Sequence, residues 1–314
     1  MKRYKPQPET AEILNWCLEK VNSVPYKVTL RWIFYRAVQE RGLTKKDYDK
    51  FKKWLSRARK SFWNGWRPDT LVDDTRYLVA LGNGFKSFQD WVKNIGEQKP
   101  EYEKFSNQEN IVVVLFEAEA MTSQFRYYCN RYHVPYAPFR GDPSIDFKWR
   151  IANYLAKLAL EYEKPIQILY FGDYEPVRKT GSRGKGITIP LDALKDIRHW
   201  YKVNWYVELA KKEGLSLEDL EELADRKYPE LRFERCGLNP EHIERWNLPE
   251  NPTRPGEYQW EALGDEEAKE LIENSIERYW NLKAVEEIEE KEGRDAERWQ
   301  ERWGEVEKQL LRGL

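Results

Sequence analysis

Cysteine, histidine and methionine are scarce in this chain of 314 residues, which has three, three and two of them. Cys17, Cys129 and Cys236 lie far apart and form no CxxC pair, which argues against a zinc module and against a disulfide framework. The histidines show neither the HxH nor the HExxH spacing of zinc sites. We therefore interpret each histidine as structural rather than as a metal ligand.

Long apolar runs and nucleotide-binding loops are also absent. No stretch approaches the roughly 18 apolar residues that a membrane span needs. The chain opens with the polar sequence MKRYKPQPET, which does not resemble a signal segment. We expect a soluble, cytoplasmic protein with no membrane contact. The P-loop pattern GxxxxGK[ST] is missing too, and no other ATPase motif is present.

Aromatic and charged residues are abundant, and the charges are unevenly distributed. Fourteen Trp, 19 Tyr and 12 Phe supply enough apolar surface for a packed core. Residues 1–104 carry 22 Lys and Arg against 13 Asp and Glu, a net charge of +9; the rest carries 31 against 41, or −10, which gives −1 in total. The first third of the chain is therefore basic.

The basic residues are densest in the run KKDYDKFKKWLSRARK, where they alternate with aromatic residues on a predicted helix. Such a helix is suited to contact a phosphate backbone, although a solvated helix face would have the same composition. A second basic segment, GSRGKG, follows an acidic strand end and is either a phosphate contact or a mobile surface loop. The candidate DNA-binding residues are Lys45, Lys46, Lys52, Lys53, Arg57, Arg59, Lys60, Arg183 and Lys185.

Apolar periodicity divides the chain into three parts and predicts an α/β fold. The first part, residues 1–105, is helical. The second, residues 106–280, alternates strands and helices as βαβ units do. The third, residues 281–314, is a charged helical extension. The predicted helices are 8–22, 29–40, 44–61, 119–131 and 145–163, and the predicted strands are 111–116, 134–139, 166–171 and one near Leu231.

Two predicted strands end abruptly in carboxylates. The runs IVVVLF and IQILYF are apolar throughout, as in strands that are buried on both faces of a parallel sheet. Glu117 follows the first run, with Glu119 nearby, and Asp173 and Glu175 follow the second. Because the carboxyl ends of parallel strands share one edge, these acids can converge there on a Mg²⁺ ion.

A tyrosine and an arginine lie together on the second predicted helix. The apolar residues of that helix form one stripe, and Tyr35 lies off it with Arg31 one turn earlier. A phenol beside a guanidinium suits attack on a phosphate, because the arginine stabilises the negative charge. A surface tyrosine packed against an arginine by a cation-π contact is the plainer alternative.

Taken together, these motifs resemble one family. TLRWIFYRAV is similar to the catalytic tyrosine motif of the topoisomerase VI A subunit and its relatives that make meiotic double-strand breaks. VVVLFEAEA and LYFGDYEP resemble the Toprim motifs of that family, and the motifs follow in the same order. Weaker similarity to small phage and archaeal Toprim proteins extends through LNPEHIERWNLP and YQWEAL. The resemblance implies a winged-helix-like first domain and a Toprim, Rossmann-like second domain.

The resemblance also implies a reaction. Tyr35 would attack double-stranded DNA and form a 5′-phosphotyrosyl link with help from Arg31, while Glu117, Asp173 and Glu175 would hold Mg²⁺. In this family, which is of type IIB and belongs to the isomerases, the tyrosine of one subunit works with the metal site of the other. The resemblance therefore implies a homodimer, associated with the nucleoid and served by a separate ATPase (B-type) subunit.

Two residues depart from the family pattern, and two other functions stay open. Glu175 stands where a second Asp is usual, and Trp32 stands where the tyrosine motif commonly has Asp. The chain would alternatively be a metal-dependent nuclease that activates water, with Tyr35 only structural, or a noncatalytic DNA-binding subunit.

Overall fold

The computed structural model describes residues 4–72, 84–117, 121–139, 143–175, 185–216, 223, 225–251 and 254–312, and of residues 185–190 only the backbone. Of the predicted site residues, Arg183 lies outside these ranges, as does Glu119, and the side chain of Lys185 is not described.

A four-stranded parallel sheet forms the centre of the molecule, which confirms the predicted α/β class. Strands β1 (Ile111–Phe116) and β3 (Ile166–Phe171) occupy the middle, where their β-branched and aromatic residues are buried on both faces. Strand β2 (Tyr136–Pro138) flanks β1, and β4 (Leu231–Gly237) flanks β3, so that the order is β2-β1-β3-β4.

Helices surround the sheet and make up most of the remaining described structure. Before the sheet come α1 (Pro8–Ser23), α2 (Leu30–Arg41), α3 (Tyr48–Lys60) and α4 (Phe88–Glu97). Between its strands lie α5 (Thr122–Arg131), α6 (Ile145–Tyr162) and α7 (Lys185–Glu213). After β4 come α8 (Pro240–Arg245), α9 (Asp265–Glu277) and α10 (Leu282–Leu311).

The two faces of the sheet have different cores. One face packs on α6 and α7 and buries Ile168 and Tyr170. The other buries Phe116 and Phe171 and belongs to a cluster that continues into the N-terminal helices, as far as Leu14 and other residues of α1, α2 and α3. The helical N-terminal part therefore packs directly on the sheet.

Helix α2 has clear boundaries and two buried sides. The Thr29 side chain accepts a hydrogen bond from the Trp32 N–H (3.2 Å) at its start, and Gly42 ends it with a φ of 68°, which glycine adopts readily. The predicted apolar stripe is present, with Ile33, Phe34 and Ala37 buried. On the other side Trp32 and Arg36 are buried as well. This second buried side of α2 faces a turn that follows β4 in the chain. The periodicity of the helix does not predict it.

The C-terminal helix α10 packs against α4. The Trp303 indole lies against Gly96, and Gln300 Nε2 donates a hydrogen bond to the Gly96 carbonyl at 2.6 Å. The segment before β1 is attached to the same helix, since the Tyr102 hydroxyl donates to Asp295 Oδ2 at 2.8 Å. The charged C-terminal segment is therefore part of the packed structure.

Candidate functional site

Glu117 and Asp173 meet at the carboxyl edge of the sheet. The last residues of β1 and β3, Phe116 and Phe171, are paired in register, so the acids that follow are delivered side by side. Glu117 N donates to the Phe171 carbonyl at 2.9 Å, and Asp173 N donates to Glu117 Oε2, also at 2.9 Å. The structure therefore brings together these two acids as the parallel sheet predicts.

Gly172 makes this close approach feasible. A Cβ at this position would lie 2.5 Å from Glu117 Oε2 and 3.1 Å from Glu117 Cβ. Because carbon atoms do not approach an oxygen that closely without a bond, only glycine leaves room for the Glu117 side chain in its present position. Gly172 is thus a site residue that the sequence reasoning missed, although it lies within the FGD run.

Asp173 lies in a strongly unfavourable electrostatic environment for a charged carboxylate. Burial raises the pKa of Asp173 well above its ordinary value, and the negative charges of Glu261 and Glu117 raise it further. A hydrogen bond from Trp260 N to Asp173 Oδ1 (2.8 Å) and the positive charge of Arg31 oppose this rise only in part. A cation at this point would relieve the repulsion.

Glu117 has the same kind of environment. Burial raises its pKa, and the charges of Glu175 and Glu261 add to the effect, while the Asp173 N–H and Arg235 lower it. Glu175 itself is half-buried and follows Tyr174 in a short segment that departs from the sheet. The structure thus places all three predicted acids at one edge, with Glu117 and Asp173 in direct contact through the Asp173 N–H.

In the ranges that the structure describes, no group of three or more His, Cys, Asp or Glu side chains is arranged to hold a metal ion. The donor chemistry of Glu117 and Asp173 nevertheless fits a hard divalent cation. Both are carboxylates, each has one oxygen fixed by a backbone N–H, and their repulsion is of the kind that a cation neutralises.

Arg31 lies at this edge within the same chain, and Tyr35 lies beside Arg31. The Arg31 Cζ is 5.6 Å from the centre of the Tyr35 ring, and Arg31 Nε is 3.8 Å from Glu261 Oε1. Burial alone would lower the pKa of Arg31. Glu261 and Tyr35 raise it instead, with the charge of Asp173 acting in the same direction, so the net shift is upward.

Glu261 belongs to a 3-10 turn, Trp260–Ala262, that joins α2 to the sheet edge. The Trp260 N–H binds Asp173, whereas the Glu261 carbonyl accepts a hydrogen bond from Arg36 Nη2 at 3.0 Å. In the sequence this turn belongs to the segment YQWEAL, which has no motif that predicts a role for Glu261. The segment lies far from α2 and from β3 along the chain, so their contact could not be predicted.

Arg235, on β4, holds the segment that carries Asp173. Its Nη2 donates to the Asp173 carbonyl and to the carbonyls of Gly172 (3.4 Å) and Leu238 (3.3 Å). Its positive charge also lowers the pKa of Glu117. Arg235 therefore has both a structural and an electrostatic effect on the acids, and sequence reasoning missed it.

The predicted basic run divides into exposed and engaged residues. Lys45 and Lys46 lie in a short 3-10 turn, and the others lie on α3. Arg59 is half-buried and donates through Nε to the Pro68 carbonyl at 3.1 Å, so its guanidinium has a structural partner. Of the candidate DNA-binding residues in the run, those that are exposed are Lys46, Lys52, Lys53, Arg57 and Lys60.

Lys45 connects this basic surface to the acid edge. It is half-buried, and its Nζ donates to Asn251 Oδ1 at 2.5 Å. Burial lowers the pKa of Lys45, and the positive charge of Arg31 lowers it further. Two cationic side chains therefore adjoin at the border between α2, the basic run and the acids.

Comparison with known proteins finds no match among family models, curated proteins or solved structures. Within the described ranges, no helix has the length and apolar character needed to cross a membrane.

Proposed function

We propose that this protein is a Mg²⁺-dependent DNA-cleaving enzyme of the topoisomerase VI A type, with a winged-helix-like N-terminal part and a Toprim sheet. The proposal depends chiefly on one observation: Arg31, which lies beside Tyr35, is paired with Glu261 and interacts electrostatically with Asp173, the acid that follows β3. Neither motif alone would distinguish this function from other phosphate chemistry, but their meeting supplies a nucleophile, a cationic anchor and candidate metal ligands at one place.

The proposed reaction is a transesterification. The Tyr35 phenolic oxygen forms a bond to a backbone phosphorus, and the bond from that phosphorus to the 3′ oxygen breaks. The tyrosine proton is lost and the departing 3′ oxygen gains one, so that a 3′ hydroxyl and a 5′-phosphotyrosyl link result. Reversal of the same step reseals the strand without ATP.

The side chains of the site have separate roles in this proposal. Arg31 binds the attacked phosphate and stabilises the charge that develops on its oxygens. Glu117 and Asp173, with Glu175 beside them, would hold Mg²⁺, which when bound neutralises charge on the phosphate and the leaving oxygen. Exposed lysines of the α3 run would hold the neighbouring phosphates of double-stranded DNA.

The partners that we propose are a second copy of the chain and a separate ATPase subunit. Because Arg31 pairs with Glu261 and interacts with Asp173 of its own chain, and Tyr35 lies beside Arg31, each copy would carry its own set of reacting groups, unlike the site shared between subunits in the resembled family, and two copies would cut the two strands. Passage of one duplex through another needs an energy source, which the B-type ATPase partner would supply.

The proposal is tested by cleavage of supercoiled DNA in the presence of Mg²⁺, stopped with denaturant. We expect wild type to produce breaks with covalently attached protein, and Tyr35→Phe and Glu117→Gln to produce neither. Tyr127→Phe is the matched control, because Tyr127 is an exposed tyrosine on α5. We expect this variant to cleave DNA as wild type does. Breaks without attached protein that persist in Tyr35→Phe would instead identify a hydrolytic nuclease. DNA binding without any cutting would indicate the noncatalytic subunit.

A further inference from the structure

Glu261 is held in a fixed position from two directions. Its side chain is only 7% exposed, and its backbone is anchored by Arg36 on one side and, through Trp260, by Asp173 on the other. The neighbouring Ala262 carbonyl accepts a further hydrogen bond from Gln39 Nε2 at 3.1 Å. The carboxylate therefore cannot move far without disturbing the contact between α2 and the sheet edge.

Packing does not explain why Glu261 carries a charge. The contacts that hold the turn use backbone groups, so a glutamine of almost equal volume would preserve them. A buried carboxylate is costly, and this one adds to the repulsion at Asp173. The compensating partner is Arg31, whose Nε lies 3.8 Å from Glu261 Oε1 and whose side chain is 52% exposed.

We infer that Glu261 is a positioning residue, whose carboxylate holds the Arg31 guanidinium beside Tyr35 at the edge of the sheet, where a DNA phosphate would bind. The contact uses the Nε edge of Arg31, and the half-exposed side chain stays accessible from solvent. The inference rests on the proposed DNA-cleaving function and adds a residue that acts through Arg31 rather than on the DNA itself.

Two substitutions separate the charge of Glu261 from its shape. Glu261→Gln keeps the volume and removes the charge, and Glu261→Asp keeps the charge on a shorter side chain. Misplacement of Arg31 should slow formation of the covalent adduct in Glu261→Gln by about tenfold or more. Its DNA dissociation constant should change by no more than about threefold, because the phosphate-binding cations remain. Glu261→Asp should have an intermediate rate.

Glu273→Gln is the matched control. Glu273, on α9, is also largely buried, at 17% exposed, and its Oε1 is paired with Arg131 Nη1 at 2.9 Å, so this variant loses an ion pair that involves none of the residues proposed to act on DNA. We expect its adduct to form at the wild-type rate. A slow rate in both glutamine variants would mean that loss of any buried charge impairs the protein, which would overturn the positioning role.

A second measurement tests the contact without requiring activity. Phenylglyoxal modifies arginine side chains, and mass spectrometry of digested protein gives the rate at Arg31. Removing the Glu261 charge should raise that rate by about threefold, as expected for a half-exposed ion pair. Glu273→Gln should leave the rate unchanged. Equal rates in wild type and Glu261→Gln would refute the inference. If wild type forms no adduct with DNA and Mg²⁺, the proposed function fails, and the labelling rates alone then decide whether Glu261 positions Arg31.

Discussion

Replacing Gly172 with alanine should damage the site while leaving the fold intact. The new methyl carbon would lie 2.5 Å from Glu117 Oε2, so the carboxylate must retreat by about 0.7 Å or more to reach an ordinary contact distance. The retreat breaks the 2.9 Å hydrogen bond from the Asp173 N–H. Such a bond to a charged group contributes about 1.5–3 kcal/mol. Alanine also makes the unfolded chain less flexible than glycine does, which stabilises the folded protein and offsets about 0.4–1 kcal/mol of this loss.

The net loss of stability should therefore be about 1–2 kcal/mol, measured by urea unfolding. Cleavage should fall much further, by about 100-fold, because a metal ligand displaced by nearly 1 Å no longer matches the reacting geometry. Gly293→Ala is the control. A Cβ at Gly293 meets nothing within 4 Å in the middle of α10, so stability should rise by about 0.5–1 kcal/mol with unchanged cleavage. If Gly172→Ala cleaves DNA at the wild-type rate, Glu117 does not act from its observed position.

Three further outcomes follow from charge and packing. The folded-state pKa of Asp173 lies above its unfolded value near 3.8, so stability falls as the pH rises between the two values. Asp173→Asn should remove that fall and be more stable at pH 7, and Mg²⁺ should raise the melting temperature of wild type but not of this variant. Gly96→Ala should detach α10 by displacing the Trp303 indole, with a loss of about 2–3 kcal/mol in urea unfolding; unchanged stability would contradict the observed α4–α10 packing. Replacing the exposed Lys52 and Lys53 with glutamine should weaken binding to DNA of any sequence and reduce the slope of log affinity against log salt by about 2. An unchanged slope would place the DNA on another surface.

The strands and the meeting of their acids could be predicted from sequence because both depend on short segments. IVVVLF and IQILYF are apolar at every position, which indicated strands buried on both faces, and the structure has them at Ile111–Phe116 and Ile166–Phe171. Parallel strands share their carboxyl edge, so Glu117 and Asp173 were expected at the same edge; the pairing of β1 with β3 in register makes them direct neighbours.

The remainder of the site depends on contacts between distant parts of the chain. Helical periodicity predicted one buried stripe on α2, but Trp32 and Arg36 are buried on another side by the turn Trp260–Ala262. That turn has no periodic pattern of its own. The contribution of Glu261 could not be predicted for this reason, and neither could the way Arg31 adjoins the acids of the same chain.

The most direct test of the central claim is to identify the residue that becomes linked to DNA. Trapping the protein on DNA with Mg²⁺ and denaturant, followed by nuclease and trypsin digestion, leaves a nucleotide on the reacting peptide. Trypsin cuts after Arg31 and Arg36, so the account predicts the peptide WIFYR carrying a 5′-phosphoryl nucleotide on Tyr35. A linkage to another tyrosine, or DNA cut with no nucleotide-linked peptide, would contradict it.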